Sequence, residues 1–167
     1  MIKLFIAATL DGYIATADDR LDWLFEVSGD GDNGYGDFIA TIDTLVMGKK
    51  TYDWLMREQP EAWPYADKKT FVLTRAVREP DENVTFITDL EPLEQLTETI
   101  WLVGGGEIIR LFLEAGLVDD FQVTLAPVLL GRGKPLFPAG NYQKNLQLIG
   151  TKTYGQFVEL HYKTRQS

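Results

Sequence analysis

The stretch "LVGGGEIIRLF", residues 102–112, decides how the rest of the chain is read. An apolar run from Ile100 to Val103 meets three consecutive glycines. A helical pattern follows at once, with apolar residues at Ile108, Ile109, Phe112 and Leu113. Ordered glycine costs backbone entropy, so three at a strand-to-helix corner need a reason. One reason is a close strand–helix crossing with a left-handed turn. The other is a ligand. A helix that starts there points unpaired N–H groups and a positive dipole end outward, and glycines let phosphates approach without a Cβ in the way. The spacing is neither the G-x-G-x-x-G dinucleotide fingerprint nor a P-loop.

The same grammar repeats on either side. Ile2–Thr9, Thr44–Met47, Thr70–Thr74 and Val84–Ile87 are apolar runs of strand length. Helical patterns separate them, at Tyr35, Phe38, Ile39 and Ile42, then Tyr52–Met56, then Leu90–Leu96. Near-continuous apolar strands alternating with helices predict a parallel sheet covered on both faces. The last third differs: Asp120–Val128, Leu146–Tyr154 and Phe157–Lys163 read as strands with no helix between them, and "TYGQF" reads as a tight turn. The expected fold class is α/β, parallel early and antiparallel at its C-terminal edge. Such sheets bind ligands outside the carboxyl ends of their strands.

Composition narrows the function. The 167 residues suit one domain, 1–167, and 45% hydrophobic residues suffice for a full core. Net charge is −9 with no run of Lys or Arg, which argues against nucleic-acid or anionic-membrane partners. There is no cysteine and only one histidine, His161, so thiolate and multi-histidine metal sites are excluded. The N-terminus lacks a secretory n-region and cleavage pattern, and the expected address is cytoplasmic.

Four corners fall at strand carboxyl ends: "ATLDGYIA", "MGKKTY", "LTR" and "GGGE". Lys49 and Lys50 follow Gly48 after a stretch from Leu21 that holds no cation, and Arg75 lies at a neighbouring corner. Together they suit an anion. Thr51 either caps the helix or bonds a phosphate oxygen. The acidic loop "DWLFEVSGDGDNGYGDF" lacks the glycine and glutamate of an EF-hand, so no metal is expected there. Within it Asp32 stands three residues before Tyr35 and extends the apolar face of Phe38, Ile39 and Ile42. It fits two roles, N-cap or proton supply. Asp37, one step off that face, is the second candidate.

In this order, "IAATLDGYIA", "VMGKKTY", "FVLTR", "WLVGGGEIIRLF" and "VTLAPVLLGRGKPLFP" resemble the dihydrofolate reductase superfamily over nearly the whole chain. "LDGYIA" and "LLGRGKPLF" bring it nearest to the stand-alone branch similar to the reductase domain of the riboflavin-pathway deaminase-reductase. The resemblance implies a three-layer fold, with a mixed, mostly parallel sheet of about eight strands and an antiparallel C-terminal hairpin. It implies hydride transfer from NADPH to a pterin- or pyrimidine-like heterocycle, and a homodimer.

By position, the resemblance gives Ala8 and Ile14 to the nicotinamide carboxamide. Lys49, Lys50 and Arg75 go to the adenosine 2′-phosphate, Thr51, Gly105 and Gly106 to the pyrophosphate, and Thr74 to the ribose. Gly48, Gly104 and Glu107 complete the cofactor set. Asp32 takes the place of the pocket carboxylate, and Trp23, Tyr35 and Phe38 offer rings to the substrate. The zinc-binding residues of the deaminase half are absent. Residues 21–48 carry six carboxylates and no cation, so a substrate without a phosphate is expected. The alternatives are a true dihydrofolate reductase and a non-catalytic NADPH-binding or sensor protein.

Overall fold

The structure is a computed structural model and describes residues 1–59, 61–76, 79 and 81–165. Its strands are Ile2–Thr9 (β1), Tyr13–Ala15 (β2), Thr44–Gly48 (β3), Lys69–Leu73 (β4), Thr85–Ile87 (β5), Ile100–Gly104 (β6), Asp120–Ala126 (β7), Lys134–Pro135 (β8), Leu146–Tyr154 (β9) and Phe157–Thr164 (β10). Its helices are Asp22–Phe25 (α1), Tyr35–Ile39 (α2), Lys49–Glu58 (α3), Glu91–Glu94 (α4) and Gly106–Glu114 (α5). Eight strands form one sheet in the order β5-β4-β3-β6-β1-β7-β10-β9. All neighbours are parallel except β10, which runs antiparallel to both β7 and β9. The α/β reading and the antiparallel C-terminal hairpin hold.

The central strands alternate their side chains between two cores. Val46, Ile100 and Leu102 face one side with Ile108, Ile109, Phe112 and Leu113 of α5. Leu45, Met47 and Trp101 face the other with Phe38 of α2 and Tyr52 and Leu55 of α3. Apolar residues at both parities are what a strand covered on both faces requires. Phe112 anchors the α5 side and is fully buried. Phe112→Ala is expected to cost about 3–5 kcal/mol, read as a lower denaturation midpoint in urea.

Three elements depart from the sequence reading. The stretch read as an acidic loop opens with a four-residue helix, α1. The helical pattern through Ile42 ends at Ile39, and Ile42 reaches the core from the turn that follows. A two-stranded ribbon, β2 with β8, was not anticipated. Strands of three and two residues are too short to carry a period, and their partners lie far apart in sequence. Asp11 fixes the loop leading into β8. Its carboxylate accepts the N–H groups of Leu130 and Gly131 and the Thr9 hydroxyl. These bonds hold its pKa below the ordinary carboxylate value, the Thr9 bond most.

Candidate functional site

The sheet splits where the chain order reverses. β1 pairs with β6 only from Ile2 to Leu4, yet pairs with β7 as far as Thr9. Beyond Leu4 the two central strands diverge, and the carbonyl of Phe5 takes a bond from the Trp101 indole N–H instead. On the β3 side β6 stays paired as far as Gly104. The crevice therefore opens between the carboxyl ends of β1 and β6, where ligands bind in sheets of this topology. The helices α3 and α5 begin at the ends of the adjacent strands β3 and β6, so their N-termini and partial positive charges converge there.

Each of the three glycines has a different reason. Gly104 has φ 123°, a conformation that L side chains rarely adopt. At Gly106 a Cβ would lie 2.5 Å from the Pro135 carbonyl, so the β8 ribbon excludes any side chain. Gly105 has neither constraint. Its φ of −82° suits any residue, and a Cβ there would meet only the tip of Ile14 at 3.7 Å. Gly48 is alike: φ is −78° and the nearest atom to a Cβ would be the Gly104 carbonyl oxygen at 3.8 Å. Among the described residues, neither φ nor a neighbouring atom requires glycine at 48 or 105. Both border the crevice, and the space that a Cβ would fill suits the phosphates of a dinucleotide.

The cations divide. Lys49 Nζ donates to Asp53 one turn along α3 at 2.6 Å, so its charge is met internally. Lys50 and Arg75 are exposed, with no ion pair among the described residues. They stand at the ends of the adjacent strands β3 and β4, where Gly48 is in register with Leu73. The N-cap of α3 is Gly48, with no side-chain cap bond, so Thr51 is not the cap. Thr74 is buried and its N–H bonds the Ile87 carbonyl. A cavity of about 530 Å³ opens at the end of β5, lined by Phe86, Thr88, Asp89 and Pro92 among others. Ala8 is fully buried on β1, and Ile14 is half-buried on β2. Glu107 lies in the first turn of α5, paired with Arg110 at 2.9 Å, and Arg110 also reaches Glu114.

Asp32, in the loop before α2, is exposed. Its carboxylate accepts the N–H groups of Gly34 at 3.0 Å and Gly36 at 2.8 Å. The N-cap of α2 is Gly34, so Asp32 is not the cap itself; its carboxylate holds the amide of the cap residue and one in the first turn, and these two bonds fix its position. Phe38 is buried and stacks on Phe5 with ring centroids 4.1 Å apart, so one of its faces is taken. Trp23 is also buried, against Ala126 and Phe157, and its indole N–H has no partner among the described residues. A buried donor of that kind calls for an acceptor from water or ligand. Tyr35 is half-buried, edge-on to Phe5 and Trp101, with its hydroxyl bonded to Tyr65. Burial pushes both phenols up, Tyr65 further, so both stay neutral hydroxyls.

Several residues that shape this site escaped the sequence reading. Asp53, which neutralises Lys49, was legible as an i, i+4 pair. Phe5, Tyr65 and Trp101, which pack around Tyr35 and Phe38, come from three distant segments and leave no local signal.

Comparison with known proteins adds relatives. Residues 54–160 match the model of the RibD C-terminal domain. The chain is 41% identical over 166 residues to an uncharacterised protein of Bacillus subtilis (strain 168), YwjB, covering 95% of each. Its fold matches a candidate riboflavin biosynthesis protein from Shewanella sp. PV-4, at 29% identity and a TM-score of 0.85 over 99% of both chains. A dihydrofolate reductase from Enterococcus faecalis, complexed with NADP(H) and RAB-propyl, shares the fold at 18% identity. Its TM-score is 0.71, with 99% of this chain and 97% of that one covered.

Proposed function

The chain belongs to the RibD C-terminal domain family, and on that footing we propose that it is an NADPH-dependent reductase of a pterin- or pyrimidine-like heterocycle. The observation that carries this reading is the cradle at Gly48 and Gly105, beneath two helix N-termini and beside a split in the sheet. The enzyme of the same fold that is complexed with NADP(H) supports it. When bound, NADPH supplies the hydride. Lys50 and Arg75 hold the 2′-phosphate, with Lys49 a weaker contributor because Asp53 holds it. Thr51 and the amides of Gly105 and Gly106 hold the pyrophosphate, and Gly104 and Glu107 complete the corner. Thr74 lies by the ribose, and Ala8 and Ile14 present backbone groups to the carboxamide. Trp23, Tyr35 and Phe38 wall the substrate pocket. Reduction of a C=N bond leaves a nitrogen that needs a proton, and Asp32 or a water it orders delivers one.

NADPH is expected to bind at least ~10-fold tighter than NADH, about 1.4 kcal/mol, read by quenching of the four tryptophans. Lys50→Ala narrows that gap more than Lys49→Ala. Equal affinity for the two cofactors would remove these cations from the site. The activity itself is tested by NADPH oxidation with dihydrofolate, dihydropterin and a ribosylaminopyrimidine, with and without its phosphate. Six carboxylates without a cation over residues 21–48 favour the unphosphorylated acceptor. NADPH binding without turnover of any acceptor would leave a sensor. We further propose a homodimer working in the cytoplasm. The outer strand β9 leaves Leu148 and Ile149 exposed, as Val158 is on β10, and an uncovered apolar edge of this kind invites a second copy.

A further inference from the structure

The C-terminal hairpin reaches across the molecule to the loop that carries Asp32. At its turn, the N–H of Gln156 bonds the Ser28 carbonyl at 2.9 Å. Gly155, with φ 60°, presses against the same loop so closely that a Cβ would lie 2.6 Å from the Ser28 carbonyl. Next to it, the hydroxyl of Tyr154 lies against Gly34, where a Cβ would come within 2.6 Å of it. Gly34, with φ 82°, is the residue from which α2 starts and one of the two whose N–H binds Asp32. The Tyr154 hydroxyl is itself held, donating to Glu159 at 3.3 Å.

Glu159 is the unusual member. It lies on β10, opposite Thr124 on β7 and Lys152 on β9, and is 3% exposed. Its other oxygen accepts from the Gln122 amide at 2.7 Å. A buried carboxylate is costly unless hydrogen-bonded, and both oxygens here are spoken for. Around it the hairpin and α2 are not closely packed. A polar cavity of about 150 Å³ lies between them, lined by Lys3, Asp37, Gln122 and Lys152 with Tyr154 and Glu159. With that void between them, the contacts of Tyr154 and of the turn form the connection between hairpin and loop.

We propose that Tyr154 and Glu159 are positioning residues, through which the β9–β10 hairpin fixes the start of α2 and the carboxylate of Asp32. The proposal rests on the reading of Asp32 as the proton source, and its test separates the two. Burial, and then the charges of Glu159, Asp37 and Asp32, hold the Tyr154 phenol above its ordinary pKa, so it stays a donor at neutral pH.

The test uses the full chain with Tyr154→Phe and Glu159→Gln. The first removes only the hydroxyl. The second keeps an amide that still bonds both Gln122 and Tyr154. Amide hydrogen exchange at Gly34 and Gly36, the two N–H groups on Asp32, reads the position without any substrate. In Tyr154→Phe that exchange is expected to speed up at least ~10-fold, the scale of one lost hydrogen bond. Turnover with 7,8-dihydropterin and NADPH should fall by a similar factor. The KM for NADPH should stay within ~2-fold, because the partners of Tyr154 and Glu159 lie on β7, on β10 and at Gly34 rather than on α3 or α5. Glu159→Gln should resemble the parent in all three. Unchanged exchange at Gly34 and Gly36 in a folded Tyr154→Phe variant overturns the proposal, and so does a Glu159→Gln variant as loose as Tyr154→Phe. Faster exchange with undiminished turnover upholds the positioning and removes Asp32 from the chemistry instead.

Discussion

Gly48→Ala and Gly105→Ala are each expected to fold like the parent and to bind NADPH at least ~100-fold more weakly. The two halves of that expectation have separate grounds. Folding is preserved because both residues have ordinary φ values, −78° and −82°, and the added methyl meets protein atoms no nearer than 3.8 Å and 3.7 Å. Binding is lost because the methyl occupies the space through which phosphates would reach the N–H groups of α3 and α5. Losing two charge-assisted hydrogen bonds at about 1.5–3 kcal/mol each corresponds to two or more decades in affinity. The measurement is a tryptophan-fluorescence titration with NADPH beside a urea melt. Gly106→Ala is the contrasting control: Pro135 stands 2.5 Å from the new Cβ, so stability falls with it. Normal NADPH affinity in both Gly48→Ala and Gly105→Ala would mean that these glycines hold no phosphate.

Asp32→Asn should lower turnover at least ~100-fold, at the low end of what general acid–base groups contribute, with NADPH affinity little changed. The hydrogen bonds of Asp32 make the substitution informative. The carboxylate accepts from Gly34 at the N-cap of α2 and from Gly36 in its first turn, and the amide oxygen of asparagine can accept the same bonds. The helix start survives while the group that carries a proton is gone. A steady-state comparison of kcat and KM for both substrates, with a thermal melt, separates the roles. Full activity in the variant would leave Asp32 only its bonds to the start of α2 and pass the proton to Asp37 or to water. A drop in stability equal to the drop in activity would point the same way.

Much of this was legible in the residues themselves. Five of the parallel strands, β1, β3, β4, β5 and β6, are apolar runs with helical patterns among them, and helices covering both faces leave no other arrangement of such strands. The turn in "TYGQF" and the absence of a helix after Asp120 are enough to make the last strands antiparallel. The corners at "MGKKTY" and "VGGGE" lie where β3 feeds α3 and β6 feeds α5, and a strand that feeds a helix directly exposes that helix's N-terminus.

What the sequence left undecided were choices among neighbours. Periodicity puts Phe38 on an apolar face and Trp23 is read only as a ring in the acidic loop, but only the fold shows that Phe5 stacks on the first and Phe157 packs against the second. Two adjacent lysines look equivalent until α3 places Asp53 beside Lys49 and leaves Lys50 to the solvent. Three glycines in a row look like one motif. The positive φ at Gly104 and the Pro135 carbonyl against Gly106 are structural, and Gly105 alone of the three has neither constraint. That carbonyl belongs to a ribbon of a few residues whose two strands lie far apart in the sequence. The reason is common to all of these. A local pattern records the polarity of a residue's surroundings, whereas the identity of the atom that touches it depends on segments brought together by the closing of the chain.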